Sequence, residues 1–296
     1  MQRIQSRAEL ATALSAAPRP IGFVPTMGAL HAGHAALISA ARAECATVVV
    51  SIYVNPKQFS VPSDLAAYPR TIDADATLAE KHGADVLFHP SDAEIYPPDE
   101  AVPPVDPGPL ALRLEGAARP GHFAGVATVV SRLFDLVTPD RAYFGEKDAQ
   151  QLRVVEWMSA RRTASPPVSI RRVPTVRDAD GLALSSRNAR LSHAGRAAAV
   201  AVPRALEAAR DAFAAGATSV AQVRRAALDV LSQQPVVTLE YLDLADSQTL
   251  EALPDDAHLH EGLLTVAVTV EGVRLIDECH LADGGASARQ RPNATG

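Results

Sequence analysis

Thr47–Val54, TVVVSIYV, decides the fold of this chain. Its β-branched residues run almost without a polar break, as in a parallel strand covered on both faces; a strand with one wet face would alternate. Asn55-Pro56 stops the run, and a loop carrying Lys57, Gln58 and Phe59 follows. Upstream, Ile21–Val24 is a second apolar run, joined to the first through VPTMGALHAGH (Val24–His34) and the segment Ala35–Glu44. Leu37, Ile38 and Ala41 give that segment a helical stripe. Downstream, Asp73–His82 reads as helix and Asp85–His89 as a third strand. Strand–helix–strand–helix–strand predicts a Rossmann-like parallel α/β sheet. Ligands of such sheets sit beyond the carboxyl ends of the strands. VPTMGALHAGH and the Asn55–Phe59 loop both lie there.

The flanking sequence fits this frame. Ser6-Arg7-Ala8-Glu9 is a capping box that opens a helix over about residues 7–16. Seven prolines in Pro90–Pro109 exclude a long regular element, leaving a lid, an interface arm or a packed irregular loop. LEGAARPGHFAG (Leu114–Gly125) places Arg119, Gly121 and His122 on a glycine-rich loop before a helix from about Val126 to Val137. Arg141–Gly145 reads as a short strand, Glu146-Lys147-Asp148 opens a helix over about 148–160, and Val168–Val173 is a further strand. Asp178–Gly181 is a hairpin turn, followed by the polar run Ser185-Ser186-Arg187-Asn188. Beyond Ser192, alanine-rich helices and the strands Val237–Leu244, Leu263–Val270 and Val273–Asp277 predict a smaller α+β domain. The expected division is 1–175, 176–282 (carrying the SSRN segment) and a disordered tail, 283–296.

The chain has 296 residues, 47% hydrophobic and 21% charged, which is ordinary for a globular protein. A net charge of −6 argues against nucleic acid as the main partner. Cys45 and Cys279 form no CxxC pair, no signal-type N-terminus is present, and no run reaches membrane-spanning length. The expectation is a soluble, cytoplasmic protein that engages no membrane.

Four polar clusters fall on loops or helix starts: MGALHAGH, NPKQF, GEKDAQQ and SSRN. They supply cations, amides and hydroxyls, with neither GxSxG, a complete Walker motif nor GxGxxG among them. Such a set suits phosphoryl or nucleotidyl transfer, in which catalysis is positioning plus charge stabilisation. Lys147 would act as a point charge on phosphate, Arg187 as a fork, and Ser185 and Ser186 as donors. His31 and His34 share a helix face beside Gly28 and Gly33. For each residue alone, solvated surface is the competing reading, and a zinc pair lacks a third ligand.

In these blocks the chain resembles the pantothenate synthetase (pantoate–β-alanine ligase) family of the HxGH nucleotidyltransferase superfamily. The resemblance runs over about Ile21–Leu191 through VPTMGALHAGH, SIYVNPKQF, YPRTID, RPGHFAGVATVV, AYFGEKDAQQ and VRDADGLALSSRN; past Leu191 it is one of length and pattern. It implies ATP-dependent condensation of (R)-pantoate with β-alanine through a pantoyl adenylate, with Mg²⁺ present, in pantothenate and coenzyme A biosynthesis. Carried over, Met27, Gly28, Ala29, Leu30, His31, Ala32, Gly33 and His34 cradle ATP, with His34 as proton donor. Gly145, Glu146, Lys147, Asp148, Val176, Leu184, Ser185, Ser186 and Arg187 also contact ATP. His31, His34, Lys147 and Arg187 form the catalytic set. Gln58 and Gln151 hold pantoate, and Gln58 also borders the β-alanine site. Asp75 is the candidate for an indirect magnesium contact, and a homodimer is implied.

Two positions depart from the family pattern. Leu184 replaces the usual methionine before SSRN, and Ser63-Asp64 stands where a Glu-Asp pair is usual. Two other readings compete: an HxGH adenylyltransferase with different substrates, and a non-enzymatic nucleotide-binding protein on the same scaffold.

Overall fold

The computed structural model describes residues 1–59, 62–163 and 167–282; the expected tail at 283–296 lies outside them. Packing divides the chain into Met1–Ala189 and a second unit from Arg190 onward. The first unit contains β1 (Gln2–Ile4), α1 (Arg7–Ser15), β2 (Ile21–Thr26), α2 (Ala32–Glu44), β3 (Thr47–Ile52), α3 (Pro62–Ala66) and α4 (Ile72–Lys81). It continues with β4 (Val86–Phe88), α5 (Asp92–Ile95), α6 (Leu114–Ala118), α7 (His122–Val137), β5 (Arg141–Gly145), α8 (Ala149–Ser159) and β6 (Ser169–Val173). The six strands form one sheet in the order β1-β4-β3-β2-β5-β6, each pair parallel.

The continuous apolar runs have the cause assigned to them, because both faces of the sheet are covered. Val49, Phe23, Phe88 and Phe144 point into one core, with Phe134 and Val130 of α7 and Leu152 of α8. Their neighbours Val48, Val50, Val24, Leu87 and Tyr143 point into the other, with Leu37, Ile38 and Ala41 of α2 and Ala76 and Ala79 of α4. The period of two distributes one strand between two cores. Each fully buried valine or phenylalanine contributes about 1.5–3 kcal/mol relative to exposure.

Several boundaries differ from the sequence reading. β1 is absent from it, since QRI offers one inward side chain, Ile4, and no alternation to detect. α7 begins at His122 rather than near Val126, because Gly121 adopts a left-handed conformation (φ 82°) that starts the helix early. The proline-rich excursion holds one helical turn, α5, whose Ile95 is fully buried. The Ser6–Glu9 capping box forms with both reciprocal hydrogen bonds.

The SSRN segment packs within the first unit, so the division falls at Ala189/Arg190 rather than at 175/176. Arg177 bridges Ala183 across the Asp178–Gly181 turn, and the Leu184 amide donates to the Val176 carbonyl at 3.0 Å. The shift in composition near residue 175 marks the end of the sheet, and the hairpin after it folds back onto the same unit.

The second unit has α9 (His193–Ala199), α10 (Ala201–Ala214) and α11 (Val220–Leu231), then an antiparallel sheet β7 (Val237–Ala245), β8 (Glu261–Val270) and β9 (Val273–Ala282). Pro203 lies in the first turn of α10, where its missing N–H breaks no helical bond. Glu271 and Gly272 both have positive φ and join β8 to β9 as a tight two-residue hairpin.

Candidate active site

The strand order locates the site. The chain winds outward from β2 through β3 to β4, then returns to add β5 and β6 on the other side of β2. Winding therefore reverses between β2 and β5, and ligands of open α/β sheets bind at the carboxyl ends of such a reversal. The end of β2 delivers Met27–His34, and the end of β5 delivers Gly145–Asp148.

Gly28 and Ala29 both take left-handed conformations (φ 82° and 51°) to turn the chain out of β2. For alanine that conformation costs about 1–2 kcal/mol, so the loop must be held. Asp75 of α4 holds it: Oδ2 accepts from the Ala29 amide at 2.9 Å, and Oδ1 from the Leu30 amide at 2.8 Å and the Thr71 hydroxyl at 3.1 Å. Thr26 Oγ1 accepts from the Gly28 amide and donates to the Ser51 carbonyl. Asp75 is 2% exposed. This carboxylate, the candidate for an indirect magnesium contact, is engaged with loop amides and positions the loop. Among the described residues no three His, Cys, Asp or Glu side chains gather as metal ligands.

His31 caps α2, and the two imidazoles lie with centroids 4.2 Å apart. His31 Nδ1 accepts from the Gly33 amide at 3.1 Å, and His34 Nδ1 accepts from the His31 amide at 3.2 Å. A backbone N–H can only donate, so both Nδ1 atoms carry lone pairs and the ring proton of each neutral imidazole is on Nε2. Two amides that a helix start would offer an anion are thereby taken by histidine, leaving the Nε2–H groups as donors. Burial pushes the His34 pKa down to about 3, with the His31 charge and Lys147 adding to it. Burial, then Lys147, also lowers His31. Both rings are neutral at pH 7.

Lys147 lies in a 3₁₀ turn (Glu146–Asp148) directly after β5, its side chain 17% exposed and 3.6 Å from Asp148 Oδ1. From the hairpin side, the Ser186 hydroxyl donates to the Ala29 carbonyl at 3.1 Å, and Ser185 Oγ accepts from the Arg187 amide. Arg187 Nη2 meets Asp64 Oδ2 at 3.3 Å, with both side chains part-exposed. Such a pair is worth about 0–1 kcal/mol, little enough for a phosphate to displace. Asp64 is the member of the departing Ser63-Asp64 pair that the family pattern retains.

Gln58 sits in a 3₁₀ turn (Pro56–Gln58), 7% exposed, with Nε2 3.0 Å from Met27 Sδ. The Asn55–Phe59 loop and the HxGH loop therefore touch. Its backbone carbonyl accepts from His122 Nδ1 at 2.8 Å and from Arg119 at 3.4 Å. Burial, reinforced by Arg119, takes the His122 pKa down to about 4. A Cβ on Gly125 would collide with the Lys57 carbonyl and stand 2.8 Å from the Gln58 nitrogen, so α7 docks backbone to backbone on this turn. Of the two glutamines on α8, Gln150 is a strut: it accepts from the Glu115 amide and donates to the Leu110 and Arg113 carbonyls. Gln151 is half-buried, and its amide makes no hydrogen bond among the described residues.

Sequence reasoning assigned no site role to Asn55, Asp64 or Tyr96, missed the structural use of Asp75, and flagged Arg119 and His122 without a partner. Asn55 had one available signal, its three-residue spacing from Gln58 in a turn. The others reach the site from distant segments, which only the fold brings together.

The protein-family model for pantoate-beta-alanine ligase matches residues 1–280. The chain is 48% identical over 267 residues to a pantothenate synthetase of Corynebacterium glutamicum, covering 89% of this chain and 94% of that protein. It is also 48% identical over 285 residues to a bifunctional pantoate ligase/cytidylate kinase of Thermosynechococcus vestitus, covering 94% of this chain and only 54% of that protein. The crystal structure of the Thermus thermophilus pantothenate synthetase superposes with a TM-score of 0.87 at 46% identity, over 94% of this chain and 99% of that one. That of the Francisella tularensis pantoate-beta-alanine ligase, complexed with beta-gamma ATP and beta-alanine, gives 0.77 at 32%, over 94% and 97%. These matches lead to one conclusion: the chain belongs to the pantoate–β-alanine ligase family.

Proposed function

We propose that the chain joins (R)-pantoate to β-alanine through a pantoyl adenylate, with ATP as the driving substrate. In the first step a pantoate carboxylate oxygen attacks the α-phosphorus, and the bond to the bridging oxygen breaks to release pyrophosphate. In the second, the β-alanine amine attacks the acyl carbon; AMP leaves with the carboxylate-derived oxygen, and the amine loses a proton. Neither step needs a protein nucleophile. Both need donors held where charge develops.

The observation that carries the reading is the paired Nε2–H donors of His31 and His34 within the electrostatic reach of Lys147. Ser185 and Arg187 add hydroxyl and guanidinium donors from the hairpin that the Ser186 hydroxyl ties to Ala29. With its only proton on Nε2 and a pKa near 3, His34 acts as a neutral hydrogen-bond donor to phosphoryl oxygens rather than as an acid. Gln58 beside Met27, with Gln151, supplies amides for the hydroxy acid.

Magnesium would supply counter-charge to the ATP phosphates. Asp75 does not fit as a direct ligand, because its oxygens face amide and hydroxyl donors. A homodimer and a cytoplasmic location complete the reading; the free, buried Cys45 and Cys279 accord with a reducing compartment. No helix among the described residues is long and apolar enough to cross a membrane.

A pyrophosphate-release assay that crosses hydroxy acids with amines tests the reading. Pantoate with β-alanine should give the highest release, and Lys147→Ala and His34→Ala should each lower it at least a hundredfold with the fold intact. Equal release with unrelated acids would favour another adenylyltransferase. Absence of release with every acid would favour a nucleotide-binding protein.

A further inference from the structure

The proline-rich excursion has no part in the reaction described so far, yet one of its side chains reaches the acid-binding turn. Tyr96 follows α5 directly, between the fully buried Ile95 and the buried Pro97. Its hydroxyl donates to Asn55 Oδ1 at 3.0 Å. Lys57 Nζ lies 3.8 Å above its ring, and the Tyr53 hydroxyl ties α5 down by donating to Asp92 at 2.9 Å.

Asn55 is 1% exposed, and backbone groups fix which way its amide points. The Lys57 amide can only donate, and it faces Oδ1 at 3.3 Å. The Gly125 carbonyl can only accept, and it faces Nδ2 at 3.1 Å. The second Nδ2 proton then goes to Gln58 Oε1 at 3.1 Å. That bond fixes the Gln58 amide in turn: its oxygen is turned inward to Asn55, and its NH₂ faces the Met27 side. A glutamine amide free to flip would present donor and acceptor alternately; this one presents a donor, the group an anionic hydroxy acid requires.

We infer that Tyr96 is a positioning residue for acid recognition, its hydroxyl acting through Asn55 to hold the Gln58 amide with its NH₂ toward the substrate. The inference rests on the proposed role of Gln58 in binding pantoate. Of the two donors to Asn55 Oδ1, the Tyr96 hydroxyl makes the shorter bond, so its loss loosens the amide without breaking the turn. The excursion is thus a strut under the acid site.

The test is a two-by-two cycle of Tyr96→Phe and Gln58→Ala in the full chain, with KM for pantoate, KM for ATP and kcat measured by pyrophosphate release. Phenylalanine keeps the ring that Lys57 covers and removes only the hydroxyl. Tyr96→Phe should raise the pantoate KM three- to tenfold and leave the ATP KM and kcat within twofold. In the Gln58→Ala background the same change should have no further effect on the pantoate KM. Equal increases in both KM values, additive effects in the cycle, or an unchanged pantoate KM in Tyr96→Phe would overturn the inference while the role of Gln58 stands. An unchanged pantoate KM in Gln58→Ala alone would overturn both.

Discussion

Asp75, in the first turn of α4, accepts the Leu30 amide at 2.8 Å and so fixes, from a flanking helix, the loop that leads into the histidine pair. The same carboxylate takes the Ala29 amide, at the one residue of that loop whose side chain opposes its own backbone conformation. A helix remote in sequence thereby sets the geometry of the HxGH segment.

Asp75→Asn should separate this role from a metal role. The asparagine NH₂ would face a backbone N–H, leaving a buried donor unmatched at about 1–3 kcal/mol. The variant should melt at a lower temperature and show a several-fold higher ATP KM, with the magnesium concentration for half-maximal activity unchanged. An increased magnesium requirement with unchanged melting would restore the metal assignment.

Gly125→Ala reverses the usual expectation for a helix. Alanine in a helix interior gains about 1 kcal/mol over glycine. Here its Cβ would be driven into the Lys57–Gln58 backbone, and overpacking costs about 1–3 kcal/mol. Denaturant unfolding should show net destabilisation, and the pantoate KM should rise as the turn shifts. A stabilised variant with unchanged KM would show that α7 does not hold that turn.

The ring protons of His31 and His34 can be observed directly. Long-range proton–nitrogen NMR of the ligand-free protein should show both as Nε2–H tautomers, with no His34 titration between pH 5 and 8 and His31 titrating below the ordinary histidine value. A His34 midpoint near the ordinary histidine value of 6.5 would restore it as a candidate acid.

The sheet was legible in the sequence because TVVVSIYV and its neighbours are covered on both faces, and burial leaves a continuous apolar signal. β1 was not, since its three residues carry one inward side chain and its identity as a strand comes from pairing with β4. The residues proposed to face phosphate were legible as blocks, because each lies on one loop or helix start. The residues that aim them were not: Asp75, Asn55, Tyr96 and His122 act through hydrogen bonds across long sequence separations, and no local pattern encodes those. The domain boundary failed for a related reason, since the Ser186–Ala29 bond that keeps the SSRN hairpin with the sheet joins segments far apart.

Acid should weaken the fold through two histidines. His34 and His122 have folded pKa values of about 3 and about 4, below the ordinary 6.5 of an unfolded chain, so the unfolded chain binds more protons in between. Stability therefore falls as pH drops below about 6.5 and continues to fall toward the folded values, by at most a few kcal/mol per residue. Urea unfolding at pH 7, 6 and 5 should show this loss, and His122→Asn, which can keep the bond to the Gln58 carbonyl, should show a smaller one. Equal slopes in the two proteins would mean that His122 is not held neutral.

The most direct test of adenylate chemistry follows the oxygen. Pantoate labelled with ¹⁸O in its carboxylate should transfer one labelled oxygen to AMP, because the acyl C–O bond broken by β-alanine leaves that oxygen on phosphorus. Mass spectrometry of the products should find labelled AMP alongside unlabelled pyrophosphate. Unlabelled AMP, or ADP and labelled phosphate in its place, would contradict an acyl adenylate.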